Sequence, residues 1–269
     1  QLRFVDVPTT KIHAKFRTEY VYRPEWGSIT SFLEVSAAHL EDNRNFYRLD
    51  RLGASTPEFG ALPSTTAALL QTLDTPNSYD SRHNSLNGTL GARCTIWLGG
   101  KLPNQHITFT PTVNGSIERL TYRRDALHAH PRRNQLFFLP TLSWGFDNCH
   151  IIYRMHAAYP ELLNLLDYTD NADPLNLYYG NPHLQRSTSH KVTFSRSWWK
   201  WKEGKKFFID AAWDVTRNAI AHGQTYDTAT GVRTFMPRNV DGNWHAAARM
   251  FWERPFDKER QTLFTSETK

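Results

Sequence analysis

No run in this sequence approaches the roughly 20 consecutive apolar residues of a membrane-spanning helix. Cysteine is nearly absent. Cys94 and Cys149 alone cannot build a disulfide framework or a thiolate metal site. Glycine and proline, 14 of each in 269 residues, are too few for a low-complexity or collagen-like chain. Charge of one sign is scarce as well: 32 basic against 26 acidic residues leave +6. The basic residues are scattered, apart from pairs such as Arg123-Arg124, Arg132-Arg133 and Lys205-Lys206. Nucleic-acid binders gather charge on one face, so no nucleic-acid partner is expected. A Gly-rich phosphate loop, a Gly-x-Ser-x-Gly elbow and a His-Glu-x-x-His helix are all missing. No catalytic residue, metal ligand or cofactor is therefore assigned, and the expectation is a protein that is not an enzyme. Aromatics are plentiful, with 9 Trp, 11 Tyr and 16 Phe, which argues against disorder. The chain opens at Gln1 without an initiator Met or a signal-peptide pattern, and a piece of something longer is expected.

Helical periodicity is almost absent, and period-two alternation runs throughout. Ile107, Phe109, Val113 and Ile117 alternate with Thr108, Thr110, Thr112, Asn114 and Ser116. Leu136, Phe138, Leu142, Trp144 and Phe146 are set against Thr141, Ser143 and Gly145. Phe207, Ile209, Ala211, Trp213 and Val215 oppose Asp210, Asp214 and Thr216. Leu90, Ala92, Cys94, Ile96 and Leu98 oppose Thr89, Gly91, Arg93 and Thr95. The pattern predicts an all-β protein of about ten long antiparallel strands. They fall at 11–23, 28–44, 81–98, 105–127, 133–146, 149–157, 187–201, 206–224, 231–252 and 258–267.

The connections between these strands sort by length. Pro24–Gly27, Gly99–Asn104, Asp147-Asn148, Lys202–Lys205 and Arg254–Asp257 are short. Segments 45–80 and 158–186, with the moderate His128–Arg132 and the turn Thr225–Thr230, fall at the other end. Outer-membrane barrels have short periplasmic turns and longer extracellular loops, whereas a sandwich has no reason to sort its loops. Trp and Tyr gather near strand ends at Tyr20, Tyr22, Trp26, Trp144, Trp198, Trp199, Trp201, Trp244 and Trp252. Girdles at two membrane interfaces would place them there; an aromatic sandwich core is the competing account. On the first account the expected fold is up-and-down strands forming part of a transmembrane β-barrel.

Leu175–His190, LNLYYGNPHLQRSTSH, resembles the GNP-x-L-x-P-x-x-S-H segment of TonB-dependent outer-membrane receptors. The likeness is to the outer-membrane β-barrel family abundant in Bacteroidetes. In that family the segment closes an extracellular loop and enters the next strand. Pro160–Leu175 looks like the loop before it. Asn218-Ala219-Ile220, Tyr226-Asp227, Gly231–Thr234 and Pro237–Trp244 resemble the phrases that follow. The order holds from about 80 to 269, with departures at Gln185, where Lys is usual, and Arg186, where Pro is common. The resemblance implies a partial barrel domain over 1–269, with about ten of the family's strands and no plug or terminal aromatic strand. It also implies the cell outer membrane, lipid around the wall, and active uptake of a small nutrient ligand. The TonB system would act through other parts of the protein. The rival expectation is a soluble all-β carbohydrate-binding module.

Some residues invite chemistry. His128 and His130 offer two imidazoles without a predictable third ligand, so a solvated loop accounts for them. Asp210 and Asp214 share one strand face and are expected to line the lumen. Cys94 falls on the apolar face as a small hydrophobe. Tyr168, Tyr178 and Tyr179 lie in the long connection where a receptor would meet its ligand, and Trp26 is a further aromatic. The three loop tyrosines are the ligand-binding candidates, with packing within the loop as the alternative.

Overall fold

Alternation of this kind builds a sheet with two chemically distinct faces, and the computed structural model is such a sheet. It describes residues 2–55, 58–99, 103–200, 203–255 and 263–268. In chain order come β1 (Arg3–Asp6), β2 (Thr9–Tyr22), β3 (Gly27–Arg48) and β4 (Tyr79–Trp97). Next are β5 (His106–Thr110), β6 (Thr112–Arg124), β7 (Leu127–Ala129), β8 (Arg132–Phe138), β9 (Thr141–Phe146) and β10 (Cys149–Ala158). The remainder are β11 (Thr169–Asp173), β12 (Asn176–Tyr179), β13 (Ser187–Lys200), β14 (Lys205–Arg217), β15 (Ala219–Tyr226), β16 (Arg233–Val240), β17 (Asn243–Pro255) and β18 (Leu263–Thr268).

Prolines divide some strands without shifting their register. A proline lacks the ladder N–H, so assignment breaks at Pro8, Pro111 and Pro140. Their carbonyls still accept, from Asn43 N, Ala92 N and Met155 N respectively. β1 and β2 keep one register on β3, and β5 and β6 keep one register on β4. β8 and β9 likewise continue one strand beside β6 and β5. Counted so, the described residues form ten antiparallel wall strands.

The two faces follow the alternation. Strand partners share a face, which traces a belt from Phe16 to Val35 and from Leu33 to Leu90 and Val113. The same belt includes Phe109, Leu142 and Tyr153, then Val192, Trp213 and Ala246. Many of these apolar side chains are open: Phe16 is 62% exposed and Leu90 60%. The opposite face carries Arg17, Glu34, Glu118, Arg133, Lys191, Asp210 and Asp214. Segment 159–163 folds back over that polar face, where Leu162 packs on Leu120 and Tyr122. The polar face is thus the inside of the curved wall and the apolar face its outside. On β4 the belt runs from Leu86 to Ile96, matching the roughly 9–11 residues that a tilted strand needs to cross a bilayer.

Tyr20, Tyr22, Trp144, Trp198 and Trp252 lie on the outer face near the tight turns, and Trp244 lies on that face at the other end. Trp199 instead shares the inner face with Lys206 and Glu253. Cys94 sits in the belt; Cys149 is buried, and both thiols are free. Trp201, the middle of turn 99–104, part of turn 254–257 and the start of the last strand at 258–262 lie outside the described residues.

Two expected boundaries are corrected. Segments 206–224 and 231–252 are not single wall strands. β14 ends at Arg217, and Asn218, with φ of 50°, turns the chain out of the wall. β15 and β16 then form a hairpin above the wall, and Gly242, with φ of 79°, returns the chain to β17. The connection read as turn 225–230 is therefore the whole of 218–242. Segment 158–186 also holds two strands, β11 and β12, that sequence reading left as loop.

Candidate functional site

Connections 159–186 and 218–242 meet each other. β12 pairs in parallel with β16, so β11, β12, β16 and β15 make one four-stranded sheet at the end opposite the tight turns. Residues of the family-like segment hold it. Gly180 passes so close to Leu166 that a Cβ there would collide with the Leu166 carbonyl oxygen. Its N–H donates to Tyr168 O at 3.1 Å, and Asn181 N donates to Asn164 O at 2.7 Å. The Asn181 side chain donates to Pro237 O at 2.9 Å, across to the other connection. Asn239 completes the join. Its Oδ1 accepts from Gln185 N, and its Nδ2 donates to the carbonyls of Gln185 and Asn218. At the base, Asn218 N donates to Asp241 Oδ1 at 2.7 Å.

This join encloses a cavity of about 430 Å³. Tyr168, Tyr178 and Tyr179, the three predicted residues, all line it. Phe235 and His222 from the β15–β16 hairpin, and Arg44 from the top of β3, line it too. Tyr178 stacks on Phe235, with ring centroids 4.7 Å apart and an interplanar angle of 13°. Tyr178 stays 47% exposed and Tyr179 37%, so aromatic surface faces the opening. Arg44, Asn164 and Asn176 supply donors; Asp170 and Asp173 supply acceptors. Trp26 lies in a tight turn at the opposite end and takes no part.

The floor of the cavity is tied down. Tyr168 lies beside Tyr122, which in turn lies beside Tyr79. Arg124 Nη2 holds Asp170 at 2.8 Å, and its Nε donates to Pro76 O at 2.9 Å. Burial pushes the Tyr168 phenol up to about 12, with the Tyr122 phenol and Asp170 adding to the effect. The Asp173 carboxyl is held below its ordinary range, first by the Asn176 amide and then by the Leu175 N–H.

A second cavity, of about 510 Å³, lies on the inner face beneath segment 159–163. Glu118 and Arg133 face each other in it at 2.8 Å. His83 Nε2, Arg133 Nε and Gln135 Nε2 are buried there without hydrogen-bond partners. His128 falls in β7 with His130 just beyond it, and the described residues hold no cluster of three metal-ligating side chains.

Sequence reading missed Arg44, His222 and Phe235. The hairpin residues were legible only through Asn218 and Asp241-Gly242, a pair of chain reversals enclosing strands too short to cross a membrane.

An all-antiparallel wall, with an apolar outer belt, a polar interior and loops sorted to one end, defines an outer-membrane β-barrel. The sequence model of the outer membrane protein beta-barrel family matches residues 119–264, over half of the chain. The chain belongs to that family, and its place is the outer membrane. Membership does not favour the soluble carbohydrate-binding module. No curated protein matches the chain. Among solved structures, it is similar to the hemophore receptor HasR of Serratia marcescens, a double mutant in complex with its hemophore HasA and heme. That match has 13% identity and a TM-score of 0.39, and covers 92% of this chain and 46% of the receptor. The siderophore receptor PirA from Pseudomonas aeruginosa matches at 11% identity and a TM-score of 0.33, covering 96% of this chain and 57% of its own. The chain thus spans about half the length of these receptors.

Proposed function

We propose that this chain is part of the wall and the outer mouth of a TonB-dependent receptor that takes up a small nutrient across the outer membrane. The supporting observation is the mouth cavity, where connections 159–186 and 218–242 join, Tyr168 lies in the floor and Tyr178 and Tyr179 face the opening. Exposed aromatic faces beside a few converging polar groups suit capture of a small ligand. The reading includes no catalytic step.

The free edge of β2 and that of β18 have no partner strand among the described residues. Unpaired edges are unstable in lipid, which supports reading 1–269 as one part of a larger barrel domain. Contact with TonB then falls to other parts of that protein.

The test is intrinsic fluorescence of the chain in detergent, titrated with ferrichrome, cyanocobalamin, maltoheptaose and a mixed short-peptide pool. Saturable quenching by one of the four is expected, reduced tenfold or more in affinity by Tyr178→Ala combined with Tyr179→Ala. No saturation with any of them, or saturation indifferent to the two tyrosines, would sink the mouth-capture reading.

A further inference from the structure

Above the apolar belt, the outer face changes character on three neighbouring strands. Leu86 on β4, Ile117 on β6 and Leu136 on β8 are exposed belt residues. Two residues further toward the long connections, Arg119 on β6 stands opposite Asn84 of β4 and Arg132 of β8. Residues directly opposite in an antiparallel ladder have Cβ atoms about 5 Å apart, and like charges placed so repel. Both arginines are exposed, and neither has a carboxylate within ion-pair distance among the described residues. The nearby acids on this face are otherwise placed. Glu41 pairs with Arg82 at 3.0 Å and lies 3.6 Å from His39, while Asp80 stands opposite Arg123.

A groove of about 480 Å³ runs down the same face beside Arg119. Its walls are Ile12, Ala14, Ala37, Leu86 and Ile117, and the polar groups of His39 and Asn84 meet at its upper end at 2.7 Å. The small alanines leave the space, and the larger side chains bound it. An apolar slot topped by an unpaired arginine couple has the shape and charge of an amphiphile with an anionic head.

We propose that this face binds a phosphorylated outer-leaflet lipid, with Arg119 and Arg132 on its head-group phosphate and one acyl chain in the groove beside Arg119. The surface is continuous with the lipid-facing belt and lies at the long-connection end, which is the extracellular end in barrels of this type. Paired arginines match phosphate geometry with forked donors, and an anion between them turns their repulsion into attraction. The inference is independent of the uptake reading, because it uses only the outer face.

The test is native mass spectrometry of the full chain in dodecyl maltoside with phosphatidic acid, phosphatidylcholine or inorganic phosphate added separately. Retained phosphatidic acid is expected, with phosphatidylcholine bound at least tenfold more weakly and inorganic phosphate not retained. Arg119→Gln with Arg132→Gln should remove that preference, and the double Lys replacement should keep most of it. Arg154→Gln, on the inner face, should leave it unchanged. Equal retention of the two lipids, retention of inorganic phosphate alone, or an unchanged preference in the double Gln variant would overturn the proposal. Strand content by circular dichroism confirms that each variant is folded.

Discussion

Adjacent residues of β4 give a direct measure of which solvent each face meets. Leu90 lies on the outer face in the middle of the belt, opposite Leu33 and Val113, and is 60% exposed. Thr89 lies on the inner face, half-buried, and accepts a hydrogen bond from Asn114 Nδ2 at 2.8 Å. An arginine at the bilayer midplane costs a barrel about 2–4 kcal/mol. Removing Leu90 also gives up the transfer of its exposed surface into lipid, about 1–2 kcal/mol for a side chain of this size and exposure. Leu90→Arg should therefore cost about 3–6 kcal/mol. Thr89→Arg loses one hydrogen bond, worth about 1 kcal/mol, and places its charge opposite Glu34 on the same face. Its cost should stay near 1 kcal/mol. Guanidinium unfolding of the whole barrel that contains the chain, in phosphatidylcholine vesicles and followed by tryptophan fluorescence, separates the two. Equal destabilisation, or a greater loss from Thr89→Arg, would refute the assignment of faces.

The mouth offers further tests. Gly180→Ala should force the chain away from the Leu166 carbonyl and break the Tyr168 and Asn164 hydrogen bonds. Protease cleavage within 159–186 should accelerate at least tenfold while strand circular dichroism holds. Asn239→Ala removes three hydrogen bonds between or beneath the two connections, at about 1 kcal/mol each; amide exchange in β12 and β16 should quicken together. The alkaline difference spectrum of Tyr168→Phe should lack a phenol that titrates near pH 12 in the parent. Because folding raises that pKa, the neutral phenol's contribution is complete below about pH 10 and is lost as pH rises toward 12. Asp227 should act in the opposite direction. Its carboxyl is held low by the Thr230 hydroxyl and the Ala229 N–H, so the 227–231 turn should loosen as pH falls through the acid range.

The wall was legible because lipid and a polar lumen demand different chemistry on alternate residues. Ile107–Ile117 announced its face even across Pro111, since the proline removes a hydrogen bond without changing the period. The same rule misled at 206–224 and 231–252. Ala219–Tyr226 and Arg233–Val240 also suit strands, and local preference cannot tell a strand facing lipid from one in a mouth hairpin. Asn218 in left-handed conformation marks the difference, but in a sequence it signals a reversal only when read together with Asp241-Gly242. β11 and β12 were illegible for another reason. Strands of four or five residues persist here through a parallel partner more than fifty residues away, and no local pattern encodes such a partner.

The candidate site divides along the same line. Tyr168, Tyr178 and Tyr179 could be grouped because one connection carries them all. Phe235, His222 and Arg44 reach the cavity from elsewhere, through the pairing of β12 with β16 and the height of β3. Ordering a long connection costs roughly 1–2 kcal/mol of backbone entropy per residue. Joining two connections into one sheet offsets part of that cost with ladder hydrogen bonds, the Tyr178–Phe235 stack and the Asn181 and Asn239 links. The order is thus set by folding rather than by a ligand. A ligand entering a mouth built this way loses less binding energy to loop ordering than one that must assemble its own site. This is why substitutions of Gly180 and Asn239, which do not line the mouth cavity, should weaken capture as much as those of the tyrosines that do.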